Sequence, residues 1–464
     1  MKGGLLLRPK AIMFAIGCSF HVFSIFRYNF LISVVGTSPD SYMWTASVVS
    51  LVSFFVSNAW LWLAQRTRRL FGTFIVSALV ASVSLQSISL VPEIVWLRAG
   101  LFCLFFGCLK SFISIGACAT IKNIPEKKVF GEQFVFFLIG TVPVNFIFSH
   151  LKLPDSALTR IWIVATTGCL FVCWVLGGSK YFDKEEEPEE PLYSTLATSS
   201  TAVSPDKTPL LAGGTNSLAK IEQPVQVPLQ EEGYSALFSN SNFRFFIFIA
   251  FLIGYTCNTF IIFAPKLQQE DLALTNAQRT MIEYAGMASE ITVYISFRHL
   301  FGGLKPYVLI LVCMIAFFMR SMLYTAAVVV ALLGGGQSIS FGIMLAGDMT
   351  KGLVFGMLQP AYITFVSWYS SAANRNIALA VYNGVFYGIT GFVCGIMSGL
   401  AKVKLTAYLK GSSSFKARFF SSNCSAFVIA QSLLLFAMVL VAFRYWVQRK
   451  GRIPEFSASS YILK

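Results

Sequence analysis

Twelve windows of roughly 20 consecutive, mostly apolar residues run through this chain, and they leave few folds open to it. They fall near 11–35, 41–64, 70–91, 94–120, 131–149, 158–178, 243–265, 277–300, 306–333, 337–368, 376–401 and 424–447. About 20 apolar residues make a helix long enough to cross the hydrocarbon core of a bilayer. A helix is also the one single segment that satisfies all its backbone polar groups without water. Only 12% of the residues are charged, against about a quarter in a soluble domain, and phenylalanine alone occurs 45 times. A soluble fold of 464 residues cannot hide that much apolar surface. The expectation is an all-α membrane protein with twelve transmembrane helices. The first window begins near Ala11 and has no small-residue cleavage site after it, so it reads as a retained span and not a signal peptide.

The windows divide six and six around one polar stretch. Residues 179–242 hold DKEEEPEEP, Ser/Thr/Pro-rich text and few aromatics, the composition of a disordered linker. The expected organisation is therefore an N-terminal six-helix bundle over 1–178 and a cytoplasmic linker over 179–242. A C-terminal six-helix bundle over 243–450 and a short tail over 451–464 follow. Two bundles joined in this way suit a secondary transporter whose substrate site lies between the halves near mid-membrane.

A net charge of +15 would suggest nucleic acid in a soluble protein. Here the cations gather at span ends, as in Arg66, Arg68 and Arg69 and from Arg444 to Arg452. That pattern marks cytoplasmic loops and puts both termini in the cytoplasm. The loop 402–423, with Lys402, Lys404, Lys410, Lys416 and Arg418, runs against this assignment. The sequon Asn423-Cys424-Ser425 agrees with an outside loop and makes Asn423 a glycosylation candidate. Nine of the ten cysteines lie inside spans without CxxC pairs, so no metal site, disulfide framework or cofactor is expected. Three histidines and no triad spacing give no catalytic constellation, which argues against an enzyme.

Ionisable groups at membrane depth cost several kcal/mol unless paired or hydrated, so each is a functional candidate. The N-terminal half offers His21, Arg27, Arg98, Lys110 and Glu132; the C-terminal half offers Glu283, Glu290, Arg320, Asp348 and Lys351. Arg98 is close enough to a span end to snorkel. Glu283 and Glu290 are two helical turns apart and share a face. Asp348 and Lys351 stand at i and i+3, as either a self-neutralising pair or an exchangeable pair facing a cavity. Arg27, Lys110, Arg320, Lys351 and Glu132 are the substrate-binding candidates, and this excess of cations suits an anionic or zwitterionic solute. Proton coupling needs a buried carboxylate able to hold a proton near neutral pH, with Glu290 first and Glu283 and Asp348 behind it.

Several stretches resemble the lactose-permease-like branch of the major facilitator superfamily, which includes nucleoside and oligosaccharide proton symporters. The passage MIEYAGMASEITVYISFRHLFGGLKPYVLILVCMIAFFMRSMLYT, residues 281–325, is similar to the branch's span 8 to span 9 region, with Glu290, Gly302-Gly303 and Arg320 in the expected places. KGLVFGMLQPAYITFV, residues 351–366, resembles its span 10 motif, with Lys351 where a histidine is usual. Residues 372–400 and 129–141 resemble its span 11 and the opening of span 5, with Glu132 where sugar-transporting members carry a basic residue. The loop after span 2 keeps the basic cluster but lacks the usual leading Gly and Asp. The resemblance implies the major facilitator fold, two six-helix bundles that alternate access to a central site, with a small-molecule substrate and protons as partners.

Two functions stay open at this point. One is a proton-coupled secondary transporter. The other is a transport-inactive, transporter-shaped receptor or scaffold working through its linker. The linker also carries address labels: Asp206 with Leu210 and Leu211 fits an acidic dileucine signal, and Tyr193 and Tyr234 each open a Tyr-x-x-apolar signal. These make sorting adaptors expected partners and favour an endolysosomal or vacuolar membrane over the plasma membrane.

Overall fold

The computed structural model describes residues 2–20, 23, 26–123, 130–150, 154, 156–183, 234–300, 304, 306–369, 378, 381–409 and 415–449. Most of the 179–242 stretch and the tail 451–464 therefore lie outside the described residues. Helices carry the fold, and no strand occurs among the described residues. In the N-terminal half these are α1 (Lys2–Phe20), α2 (Tyr42–Thr67), α3 (Leu70–Leu90), α4 (Val95–Asn123), α5 (Phe130–His150) and α6 (Ala157–Leu176). In the C-terminal half they are α7 (Ser241–Lys266), α8 (Asn276–Leu300), α9 (Pro306–Leu332), α10 (Gln337–Met349, resuming as Lys351–Tyr369), α11 (Thr390–Tyr408) and α12 (Cys424–Arg449). Among the described residues nine of the spans are long and apolar enough to cross a membrane. The α8 helix is not one of the nine, because Arg279, Glu283, Glu290 and Arg298 all lie on it.

The apolar windows became helices, and the differences from their expected bounds have local causes. The α1 helix starts at Lys2 and carries Pro9 within it. The α11 helix continues to Tyr408, so Lys402 and Lys404 sit on a helix and not in a loop. Span 10 is interrupted at Thr350, whose backbone N–H reaches Gly347 O at 3.2 Å and whose hydroxyl donates to the same carbonyl at 2.7 Å. A threonine hydroxyl competing for a helix carbonyl loosens the ladder at that point. Extra-wide π-helical turns at Leu31–Val35, Leu267–Asp271 and Gly384–Ile389 finish span 1, finish span 7 and open span 11.

Each half is a bundle. The α1 helix packs on α4, α5 and α6, with α2 and α3 against α4; α9 packs on α10 and α12, and α7 on α11 and α12. The halves meet where α2 crosses α11 and α5 crosses α8. Lipid supplies no hydrophobic drive for helices to associate, so close approach at small residues does much of the holding. At the α1–α5 crossing a Cβ on Gly17 would lie 2.0 Å from Phe137 O, and one on Gly140 would lie 2.1 Å from Phe14 O. Gly17→Val or Gly140→Val is therefore expected to cost about 1–3 kcal/mol by overpacking, read as a lowered melting temperature of the purified protein. Wild-type melting of both variants would contradict this packing.

Candidate functional site

Three helices of the C-terminal half bring the buried charges together. The α8 and α10 helices run nearly in contact because Gly286, Gly352 and Gly356 face the partner helix. A Cβ on Gly286 would stand 2.8 Å from Lys351 Cδ, and one on Gly352 would stand 2.3 Å from Ser289 O. Asp348 is 1% exposed, and its Oδ1 accepts from Arg320 Nε at 3.0 Å, Arg320 Nη2 at 2.6 Å and the Tyr324 hydroxyl at 2.6 Å. The Arg320 guanidinium also stacks over the Phe260 ring, 4.1 Å from its centroid. Lys351 donates instead to Glu283 Oε1 on α8, at 2.5 Å.

The i, i+3 spacing of Asp348 and Lys351 therefore does not make them partners. Each turns to a different helix across the interruption at Thr350. Glu290 is also buried, at 5% exposure, and no hydrogen bond reaches its carboxylate among the described residues. It lies within electrostatic reach of Lys351, Glu283 and Arg320. Lys351 thus has one carboxylate in hand and a second nearby.

The N-terminal half contributes two buried cations, Arg27 and Lys110, with no carboxylate paired to them among the described residues. Arg27 is 2% exposed, donates from Nη2 to Ile261 O of α7 at 2.7 Å, and leaves its Nε buried without a partner. The Tyr42 hydroxyl, also buried, lies beside it. Arg27 and Lys110 flank one ring, Phe106, with centroid distances of 5.6 and 5.4 Å. Cys257 of α7 lies within electrostatic reach of Lys110, Arg320 and Lys351, so cations of both halves converge on one region of the interhelical interior. Arg98 stands apart, donating to Val34 O at 3.1 Å and Val91 O at 3.2 Å near the loop before α4. The Glu132 side chain and His21 lie outside the described residues.

Above this site, at the end of the bundle remote from both termini, polar groups tie the halves together. Tyr28 donates to Glu270, and Lys266 donates to Pro39 O at 2.5 Å. Arg279 donates to Asn29 Oδ1 at 3.1 Å, Gln269 Oε1 at 3.0 Å and Asn276 Oδ1 at 3.3 Å. Arg279→Ala is expected to loosen this closure and lengthen the distance between spin labels at Asp40 and Thr275. An unchanged distance distribution would contradict a gating role.

Two sequence expectations fail at this level. Asn423 is 1% exposed, and its amide donates to Asp271 Oδ2 at 2.8 Å while its backbone N–H donates to the same oxygen at 3.0 Å. A glycan cannot be attached to an amide packed in this way, so Asn423 serves as a bridge between loops. Tyr234 opens a short helix, Tyr234–Ser239, whose Leu237 is 2% exposed in the core, so the Tyr-x-x-apolar segment is not presented as a free strand. Tyr193, Asp206, Leu210 and Leu211 lie outside the described residues. Sequence reasoning passed over Tyr42, Phe106 and Tyr324, because an aromatic among 45 phenylalanines and 17 tyrosines carries no local signal, and over Arg279, which stands at the very start of the 277–300 window.

Solved structures share this arrangement. A mutant of the nucleoside transporter NupG aligns over 95% of this chain and 100% of its own, with a TM-score of 0.67 and 11% identity. An auto-inhibited peptide transporter of the POT family aligns over 99% and 100%, at 0.65 and 14%. A D-xylose-proton symporter aligns over 94% and 96%, at 0.58 and 12%. These likenesses establish the major facilitator fold. No curated protein sequence matches the chain. The profile of the MFS_1 like family matches residues 22–407, most of the chain. The chain belongs to the MFS_1-like family of the major facilitator superfamily, a multi-pass membrane protein of non-enzymatic transporter type.

Proposed function

We propose that this protein is a proton-coupled secondary transporter of a small anionic or zwitterionic organic solute. One observation carries the reading. In the described interior four cations, Arg27, Lys110, Arg320 and Lys351, face three carboxylates, Glu283, Glu290 and Asp348, and the two cations of the N-terminal half have none beside them. A buried cation lacking a counter-ion is costly, and an anionic solute would supply the missing charge. Arg27 Nε, the Tyr42 hydroxyl and Lys110 Nζ are the donors proposed for it. They belong to the half that does not carry Glu283, Glu290 and Asp348, which suits an alternating-access site between halves.

The coupling step follows from Lys351. Held by Glu283, it leaves Glu290 without a hydrogen bond, and a proton on Glu290 removes the need for a cation there. Loss of that proton draws Lys351 toward Glu290 and weakens its hold on Glu283, which repositions α8 against α10. The bundle is closed at the end remote from the termini, which supports a state open toward the cytoplasm if the termini lie there. An endolysosomal membrane remains the proposed location, supported by the dileucine pattern at Asp206, Leu210 and Leu211 and by likeness to a bacterial homologue of the human lysosomal transporter Spinster, at a TM-score of 0.53.

The test is uptake into proteoliposomes of a panel of amino acids, organic anions, nucleosides and sugars, with and without an inward proton gradient. Gradient-stimulated uptake of an anionic or zwitterionic class, lost in Lys110→Met, is expected. Uptake confined to uncharged solutes would overturn the substrate class. No uptake from any class by folded protein would favour the receptor reading.

A further inference from the structure

A second cavity lies away from the transport site, between α1, α5 and α6. It is about 650 Å³ in volume and is walled by Phe14, Cys18, Ile147, Val164 and Cys169, among other apolar side chains, with Arg160 as the one charged lining residue among the described residues. The tight α1–α5 crossing at Gly17 and Gly140 holds two walls together while α6 stands off as the third. Gly168 lies on the α6 wall, and a Cβ built there would meet nothing within 4 Å, so the space beside it is open.

Its shape limits the occupant. From Arg160 to Val172 the α6 wall rises about 18 Å at 1.5 Å per residue. Over that length the walls are apolar and enclose about 650 Å³, room for a hydrocarbon chain lying along α6. The length is close to one leaflet, half of the ~30 Å hydrocarbon core.

Charge decides the head group. Arg160 is exposed on the first turn of α6 and engages no hydrogen bond or ion pair among the described residues. A cation at the end of an apolar channel is placed to snorkel to the interface and hold a phosphate there. We propose that this groove is a binding site for one anionic phospholipid, its acyl chain lying along α6 and its phosphate on Arg160.

Native mass spectrometry of the full chain tests this, with phosphatidylglycerol and phosphatidylcholine of identical acyl chains as probes. The wild-type chain is expected to retain one phosphatidylglycerol at about a tenfold lower lipid concentration than phosphatidylcholine. Arg160→Gln, at an exposed position, is expected to erase that preference. Gly168→Trp, filling the channel, is expected to remove the retained lipid while the protein still elutes as a monodisperse peak. Equal retention of the two lipids by the wild-type chain would overturn the proposal, as would unchanged phosphatidylglycerol retention in Arg160→Gln.

Discussion

Asp348→Ala is expected to be among the most damaging single substitutions in this chain. Its carboxylate takes three hydrogen bonds, from Arg320 Nε, Arg320 Nη2 and the Tyr324 hydroxyl, at 1% exposure. Removing one partner of a buried ion pair leaves the other charge uncompensated, which costs about 3–5 kcal/mol. The guanidinium has no route to water, since it is 5% exposed and packed on Phe260. The expected readout is loss of the monodisperse peak in detergent or a steep fall in melting temperature. Replacing the pair together, as Arg320→Met with Asp348→Leu, removes both charges and is expected to restore much of that stability without restoring transport. If Asp348→Ala melted like the wild-type protein, the structural role of the pair would be refuted.

Glu290→Gln is expected to act on function and not on stability. The side chain keeps its shape and burial but can no longer gain or lose a proton, so α8 is fixed in the state that Glu290 adopts when protonated. No hydrogen bond to the carboxylate is lost among the described residues, so the folding cost stays small. Gradient-driven uptake is expected to fall to the level of vesicles without a gradient, and its dependence on pH is expected to flatten. Substrate exchange between equal concentrations needs no net proton movement, and it is expected to persist. Glu283→Gln makes a useful contrast, because it removes the negative charge that holds Lys351 at 2.5 Å, leaving only a neutral acceptor, and is expected to impair both driven uptake and exchange.

Much of this was legible in the sequence, for a physical reason. A bilayer admits only helices in a chain of this composition, so apolar windows map directly onto spans, and charges within the windows are rare enough to stand out. Arg27, Lys110, Glu283, Glu290, Arg320, Asp348 and Lys351 could all be picked out in this way. Their pairing could not, because it depends on helix rotation and on interruptions one residue long. Thr350 looks like any other residue of a Thr-containing span, yet span 10 is interrupted there, between Asp348 and Lys351. The glycines that let α8 approach α10 are likewise unremarkable among 34. Asn423 shows the opposite error: a three-residue pattern suggested an exposed loop, and burial against Asp271 removed it. The closure by Tyr28, Arg279 and Lys266 draws on residues far apart in the chain, and only the folded arrangement brings them together.

The central claim is that substrate and protons cross together through the Lys351, Glu283 and Glu290 cluster. The most direct measurement is internal pH in proteoliposomes carrying a trapped pH-sensitive dye, followed as a transported solute is added outside with no other driving force. The account predicts internal acidification that tracks solute entry in the wild-type protein and is absent in Glu290→Gln, which still exchanges solute. Solute entry with no pH change in the wild-type protein, or an undiminished change in Glu290→Gln, would contradict it.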